Sequence, residues 1–369
     1  MAMSSLSAVS LLASTIIGAG IFSLPYVFGK VGIGAGALYL LLFALLYAAV
    51  HGAYARILET EPVPHQFSFF LEKYFGRTWG RFAGYAMLAE LFLVLTAYLI
   101  LSPFFIEAAF GFGGIPALLA FWAFGSLFFF VRLRTLGFAD VLGIGAILGV
   151  VALVVWFGSD SPMTIPFVRE AGFVSFLLPF GPILFSLSGR PAIGKVVEEK
   201  RNALARGEAF SLTRVIALGT IIPALIYFFF VFGILRLNPG VSPEVLDSLG
   251  TLPQWVRGSL GLLGIVAIWT SYFMVGANAR DTMREDMRVS SRWSAAIVLL
   301  LPPLFYLAGL RHFLEVVSFV GGTLLALEGI LILFLWKKMF PRNPLRHGIY
   351  PLLAVFLAAF IFEITNILL

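Results

Sequence analysis

The sequence predicts an all-α polytopic membrane protein of 11 transmembrane helices, built as a 5+5 inverted repeat with helices 1 and 6 discontinuous. Three observations carry this. The 369 residues are 60% hydrophobic and only 12% charged, with a mean hydropathy of +0.99, far from a soluble average. Apolar runs of about 20 residues, the length a bilayer core requires, recur from end to end. Two of those runs, the first and the sixth, carry glycine and proline where broken backbone is most expensive.

Spans are expected near 7–29, 32–58, 82–108, 114–131, 136–158, 172–194, 211–236, 258–283, 293–310, 313–336 and 348–369. No short leader with a cleavage site precedes the first, so that span is expected to be retained. Loop charge alternates. Lys73, Arg77, Arg132, Arg134, Lys200, Arg284 and Lys337, with most of the other basic residues, fall on one side; the opposite side has only Lys30, Arg169, Arg236, Arg257 and Arg311. This bias puts the N-terminus in the cytoplasm and the C-terminus outside, in a cell (inner or plasma) membrane. The net charge of +6 is therefore a topology signal, and nucleic acid is not implied. The absence of cysteine excludes disulfides and thiolate chemistry.

Trp79, Trp156, Trp255, Trp293 and Trp336 lie near expected span ends, as an aromatic belt requires. Segment 65–80 is too polar to span and reads as an amphipathic helix on the cytoplasmic face. With no soluble domain, residues 1–369 are expected to form a single transmembrane domain, with repeat one at 7–158, repeat two at 172–336 and an extra helix at 348–369. A monomer in the lipid bilayer is expected.

The breakers point to the site. Span one contains "TIIGAGIFSLPYVFGK", with Gly18, Gly20 and Pro25; span six contains "FLLPFGPILFSLSGRPAIGK", with Pro179, Gly181, Pro182, Gly189 and Pro191. Each opens one half of the chain, and because five is odd the halves run in opposite directions. Paired interruptions at matching places mark the binding site of an inverted-repeat transporter. Unwound backbone frees N–H and C=O groups that lipid cannot satisfy, so it must line a polar cavity. Half-helix N-termini suit an anion and freed carbonyls suit an ammonium or a cation. A site offering both suits a zwitterion, an amino acid. Pro25 fits in the first turn of the second half-helix, where a missing N–H costs little.

With "GAGIFSLP" in span one, "FSLSGRPAI" in span six and "TSYFMVG" in span eight, the chain resembles the amino acid–polyamine–organocation superfamily. Within it the amino acid/auxin permease branch is most similar, and the bacterial aromatic amino acid permeases within that branch; these share the bacterial leucine transporter fold. The resemblance implies a secondary active, cation-coupled symporter of neutral, large apolar or aromatic L-amino acids working by alternating access. The substrate-binding residues it implies are Gly18, Ala19, Gly20, Ile21, Phe185, Ser186, Leu187 and Ser188. The glycine amides would hold the carboxylate and carbonyls around Ser186 the ammonium, with Phe185 closing over the substrate. It also implies a sodium site at Ser14, Ile17, Ala267, Thr270 and Ser271, whose oxygens suit a hard cation. No other cofactor is expected. Sodium is preferred as coupling ion because three span-eight residues match in type and spacing. Interhelical hydrogen bonding is the plain alternative for Thr270 and Ser271.

The alternatives are a proton-coupled carrier of small neutral amino acids and a metal or organic-cation transporter of the same fold. Glu90 in span three and Glu328 in span ten are the proton-coupling candidates, each able to pair with Arg190. His51 reads as structural, and Asp140 is the one ionisable side chain in 137–158. The cluster Arg280, Asp281, Arg284, Glu285 and Asp286 reads as a solvated helix end. No converging acids, serine–base pair or metal ligands appear within a span, so an enzyme is not expected. Neither a filter loop nor a charged ring suggests a channel. Spans one and six offer a divalent metal only hydroxyls, aromatics and backbone.

Overall fold

The computed structural model describes residues 3–63, 65–130, 137–159, 161–162, 164–169, 172–243, 252–285 and 287–368, and every regular element among them is helical. The helices are α1 (Met3–Ile16), α2 (Leu24–Val31), α3 (Ile33–Leu58), α4 (Phe67–Phe75), α5 (Arg77–Phe110), α6 (Gly114–Leu127), α7 (Gly137–Gly158), α8 (Phe173–Leu177), α9 (Phe180–Leu187) and α10 (Arg190–Ala205). They continue as α11 (Leu212–Leu237), α12 (Gln254–Glu285), α13 (Ser291–Leu307), α14 (Phe313–Phe319), α15 (Ala326–Met339) and α16 (Ile349–Leu368). A 3-10 turn, Ala19–Ser23, precedes α2, and a π-helical turn, Val320–Leu325, joins α14 to α15.

Among the described residues, eight helices are long and apolar enough to cross a membrane, or nine crossings if the bent pair 4–31 counts as one. Two shorter apolar helices, α6 and α13, stand where the fourth and ninth spans are expected; α6, at 14 residues, is only about 21 Å long. Those two make the difference from the expected eleven.

The helices are amphipathic with the sense reversed from a soluble protein. On α3, Leu38, Leu41, Leu42 and Leu45 are exposed at helical spacing, while Tyr47, His51 and Tyr54 are buried. Lipid takes the leucines, and the polar aromatic residues face the interior. Helices approach closely where glycine allows it: a Cβ on Gly158 of α7 would sit 2.8 Å from the Gly233 carbonyl of α11.

Three local expectations change. The amphipathic segment is shorter than 65–80: α4 ends at Phe75, and Gly76, at φ +96°, turns the chain directly into α5. The sixth span continues to Ala205, because the polar run after Lys195 remains helical. Trp79, Trp156, Trp255 and Trp293 are exposed at helix ends, but Trp336 is 4% exposed and packs against Phe340, so it leaves the aromatic belt. Arg132 and Arg134, and the side chains of Asp140, Glu285 and Asp286, lie outside the described residues.

Candidate functional site

Span one breaks at Ile17 and Gly18. The segments on either side, 4–16 and 19–31, meet at 45°. Gly18 is extended, at φ −151° and ψ −162°, and the chain tightens into the 3-10 turn before α2, where Pro25 sits in the first turn. The first N–H groups of a helical segment lack intrahelical partners, and here these belong to Ala19 and Gly20.

Span six breaks one step later than the sequence suggests. Phe185, Ser186 and Leu187 form the last turn of α9; the unwound residues are Ser188 and Gly189. Pro191, in the first turn of α10, is the physical reason: it has no N–H to offer the Leu187 carbonyl, four residues back.

The two breaks touch. A Cβ on Gly20 would lie 2.6 Å from Ser186 Oγ and 2.7 Å from Ser186 Cα. Tyr227 of α11, fully buried, ties them together: its hydroxyl lies 2.5 Å from the Ile16 carbonyl and 3.0 Å from the Ser186 carbonyl, and accepts from the Gly18 N–H at 3.4 Å. One phenolic proton cannot satisfy two carbonyls fully, so acceptor capacity remains at this junction. From α3, the Tyr47 hydroxyl donates to the Leu184 carbonyl at 2.7 Å, and His51 Nε2 accepts the Gly189 N–H at 3.2 Å.

Around this junction lies a cavity of about 330 Å³. Gly18, Ala19, Gly20, Phe185, Ser186 and Ser188 line it, whereas Ile21 and Leu187, at 1% and 0% exposure, pack away from it and do not border it. They point into the protein core because they occupy the opposite face of their helical turns. Apolar walls come from Val94, Tyr98, Ile144, Ile147 and Met274. Ser14, Ile17, Thr270 and Ser271 form another part of the lining; Ala267 lies behind them, its carbonyl accepting from Thr270 Oγ1 at 3.0 Å and Ser271 Oγ at 3.1 Å. Both hydroxyls donate in these bonds and retain acceptor capacity. Gly143 of α7 approaches closely: a Cβ there would meet Thr270 Oγ1 at 2.4 Å. The cavity shares Leu91, Pro191, Lys195 and Asn278 with a second chamber of about 630 Å³, bounded by the last turns of α3 and α12, the first half of α10 and part of α4.

Glu90 also borders the cavity, and Arg190 lies between it and Glu328. Gly321 of the π-turn packs backbone against backbone on Gly181 of α9, and Glu363 of α16, 5% exposed, stands beside Gly322. The N-terminus is tied to the loop after α10, with Ser4 donating to Glu208 at 2.6 Å. That serine, followed by Arg206, holds the Glu208 carboxyl below the usual carboxylate range. At the far end of α12, Arg280 bonds the Phe129 carbonyl and pairs with Asp281 at 3.5 Å.

Tyr47, Tyr98, Tyr227, Gly143 and Glu363 escape sequence reasoning, and His51, read there as structural, holds the Gly189 N–H. The available signal was polar or aromatic residues inside apolar runs, which marks Glu363 and His51 but cannot say what the tyrosines face.

An all-helical membrane chain with interrupted helices around a cavity defines a class, the membrane transporters with a discontinuous-helix site. The chain has the fold of Mhp1, a nucleobase-cation-symport-1 family transporter solved in a closed conformation with bromovinylhydantoin bound: the TM-score is 0.57 at 12% identity, over 98% of this chain and 91% of that one. This is the leucine-transporter fold, as the resemblance implied. In sequence, residues 1–166 match the model of the tryptophan/tyrosine permease family. No curated protein matches the chain. The protein is therefore a multi-pass membrane protein of transporter fold, similar over its first 166 residues to aromatic amino acid permeases.

Proposed function

We propose that the protein is a secondary active symporter of neutral, large apolar or aromatic L-amino acids, coupled to a cation and working by alternating access. The observation that carries this is the contact between the two breaks at one apolar-walled cavity. The unpaired amides of Ala19 and Gly20 face one part of a ligand there, and the under-satisfied Ser186 carbonyl faces another. The carboxylate would lie on the Gly18–Gly20 amides, the ammonium near Ser186 and Ser188, and the side chain against Tyr98, Ile144, Ile147 and Phe185. The similarity to the tryptophan/tyrosine permease family over residues 1–166 supports the choice of cargo.

Sodium is the proposed coupling ion, held by the hydroxyls of Thr270 and Ser271 and by carbonyls near Ser14, Ile17 and Ala267. Four of these residues border the substrate cavity, and an oxygen-only set suits a hard cation. With the basic loops in the cytoplasm, the cavity opens inward through the second chamber.

The test is uptake into liposomes of labelled L-tryptophan and L-leucine, with unlabelled tryptophan, leucine, alanine, lysine or glutamate as competitors, under a sodium or a proton gradient. Tryptophan or leucine is expected to compete best, and sodium to drive uptake. Tightest competition by lysine or glutamate would contradict the cargo. Uptake indifferent to sodium and retained after Thr270→Ala with Ser271→Ala would contradict the ion.

A further inference from the structure

We propose that Glu90, Arg190 and Glu328 form a proton-binding site that reads the position of the inner half of span six and couples a proton in addition to the sodium ion; this rests on the transporter reading above. Arg190 is the first residue of α10, immediately after the break. Its Nε lies 2.5 Å from Glu328 Oε2 on α15, and its Nη2 lies 3.8 Å from Glu90 Oε2 on α5. The three side chains are 9 to 11% exposed.

Charge does not balance. One guanidinium neutralises one carboxylate, and a second ionised carboxylate this deep in a membrane protein is strongly disfavoured. Among the described residues no other cation pairs with either acid. The remaining groups around the triad supply none. From α3, Tyr47 and Tyr54 are phenols, and His51 accepts the Gly189 N–H through Nε2, which only an unprotonated nitrogen can do. From α10, Lys195 and Glu198 are exposed, so their charges are hydrated. Glu72 of α4 is exposed, and His65, just before α4, borders the second chamber. One of the two acids therefore holds a proton.

Geometry selects Glu90. Glu328 keeps the short, charge-assisted bond, whereas Glu90 is the looser partner and borders the substrate cavity, which gives it a route to water. The carboxylates sit on α5 and α15, outside the broken span, while the guanidinium rides on the half-helix below the break. Movement of α10 that brings Arg190 toward Glu90 expels the proton, and movement away recaptures it. Only O–H bonds change: the Glu90 carboxyl gives its proton to a cavity water, leaving a carboxylate, and takes a proton back from cavity water on return.

The experiment uses reconstituted full-length protein and labelled L-tryptophan or L-leucine in two modes: uptake under an imposed proton gradient with sodium equal on both sides, and counterflow exchange with no ion gradient. An inward proton gradient is expected to raise wild-type uptake several-fold. Glu90→Gln should lose that stimulation while retaining counterflow, which shows that it folds and binds. Glu328→Gln, which leaves Arg190 to Glu90 alone, should weaken proton binding and displace the pH profile of uptake toward lower pH. A Glu90→Gln protein that responds to the proton gradient as wild type does, or a Glu328→Gln profile that stays in place, would overturn the site. Wild-type protein without counterflow would instead overturn the transporter reading on which it rests.

Discussion

The breaks in spans one and six do the same job by different means. The first is made by glycine: an extended residue, a 3-10 turn and a 45° change of direction. The second is made by proline: two unwound residues in a stretch, 174–205, that otherwise continues as one span. Their supports differ as well. The second is held by Tyr47 and His51 of α3 and by Tyr227; the first is held at the break by Tyr227 and by its own Ser23, which donates to the Gly20 carbonyl at 2.7 Å, and, fourteen residues earlier, by the Ser4–Glu208 bond. A break that depends on close approach fails when a side chain is added. One that depends on a missing N–H tolerates changes at its neighbours but leans on the groups that satisfy its carbonyls.

The sharpest way to break this comparison lies within the first interruption. Gly20→Ala puts a Cβ 2.6 Å from Ser186 Oγ, against backbone that cannot yield, whereas Gly18→Ala meets nothing nearer than Tyr98 Oη at 3.7 Å. Overpacking of this kind costs roughly 1–3 kcal/mol, so Gly20→Ala should lower the affinity for substrate about 10- to 100-fold. Gly18→Ala should stay within about threefold, since its extended backbone suits any residue. Equal losses in the two variants, measured by binding to purified protein, would show that the constraint is not contact with span six.

The shared clasp gives the next largest effect. Tyr227→Phe removes the hydroxyl that serves Ile16, Gly18 and Ser186 at once, leaving buried carbonyls unpaired at about 1–3 kcal/mol. Substrate affinity is expected to fall about tenfold. Tyr47→Phe, which frees only the Leu184 carbonyl, should cost a few-fold at most. A larger loss for Tyr47→Phe than for Tyr227→Phe would mean that the second break alone sets the site.

Sequence made the first break legible and the second only nearly so. Glycine and proline inside apolar runs are visible without a structure, and so is the helical class, because lipid imposes it on composition. The register of the second break differs from the expectation: Phe185, Ser186 and Leu187 look like the unwound stretch by resemblance, but Pro191 acts four residues back and leaves Ser188 extended and Gly189 outside either helix. Ile21 and Leu187 were misplaced for the same reason, since which face of a short turn meets the cavity depends on where the helix ends. Tyr227 could not be found at all. It lies more than two hundred residues from Ile16 in sequence, and nothing in an aromatic-rich span tells a clasp from a lipid-facing ring. The acids and their pairing with Arg190 are legible as ionisable groups inside apolar runs, yet that one guanidinium serves both at once is a property of three packed helices.

The central claim is that backbone from both breaks grips one zwitterion, and removing one charged end of the ligand at a time tests it. Binding to purified protein would be compared for L-tryptophan, tryptamine, which lacks the carboxylate, and indole-3-propionate, which lacks the ammonium. Each truncation leaves buried polar backbone unpaired, so both analogues should bind at least about 100-fold more weakly than tryptophan. If L-leucine proves the better ligand, its amine and acid analogues serve in the same way. An analogue that competes as well as its parent amino acid would contradict the account, because one of the two breaks would then have no part in holding the ligand.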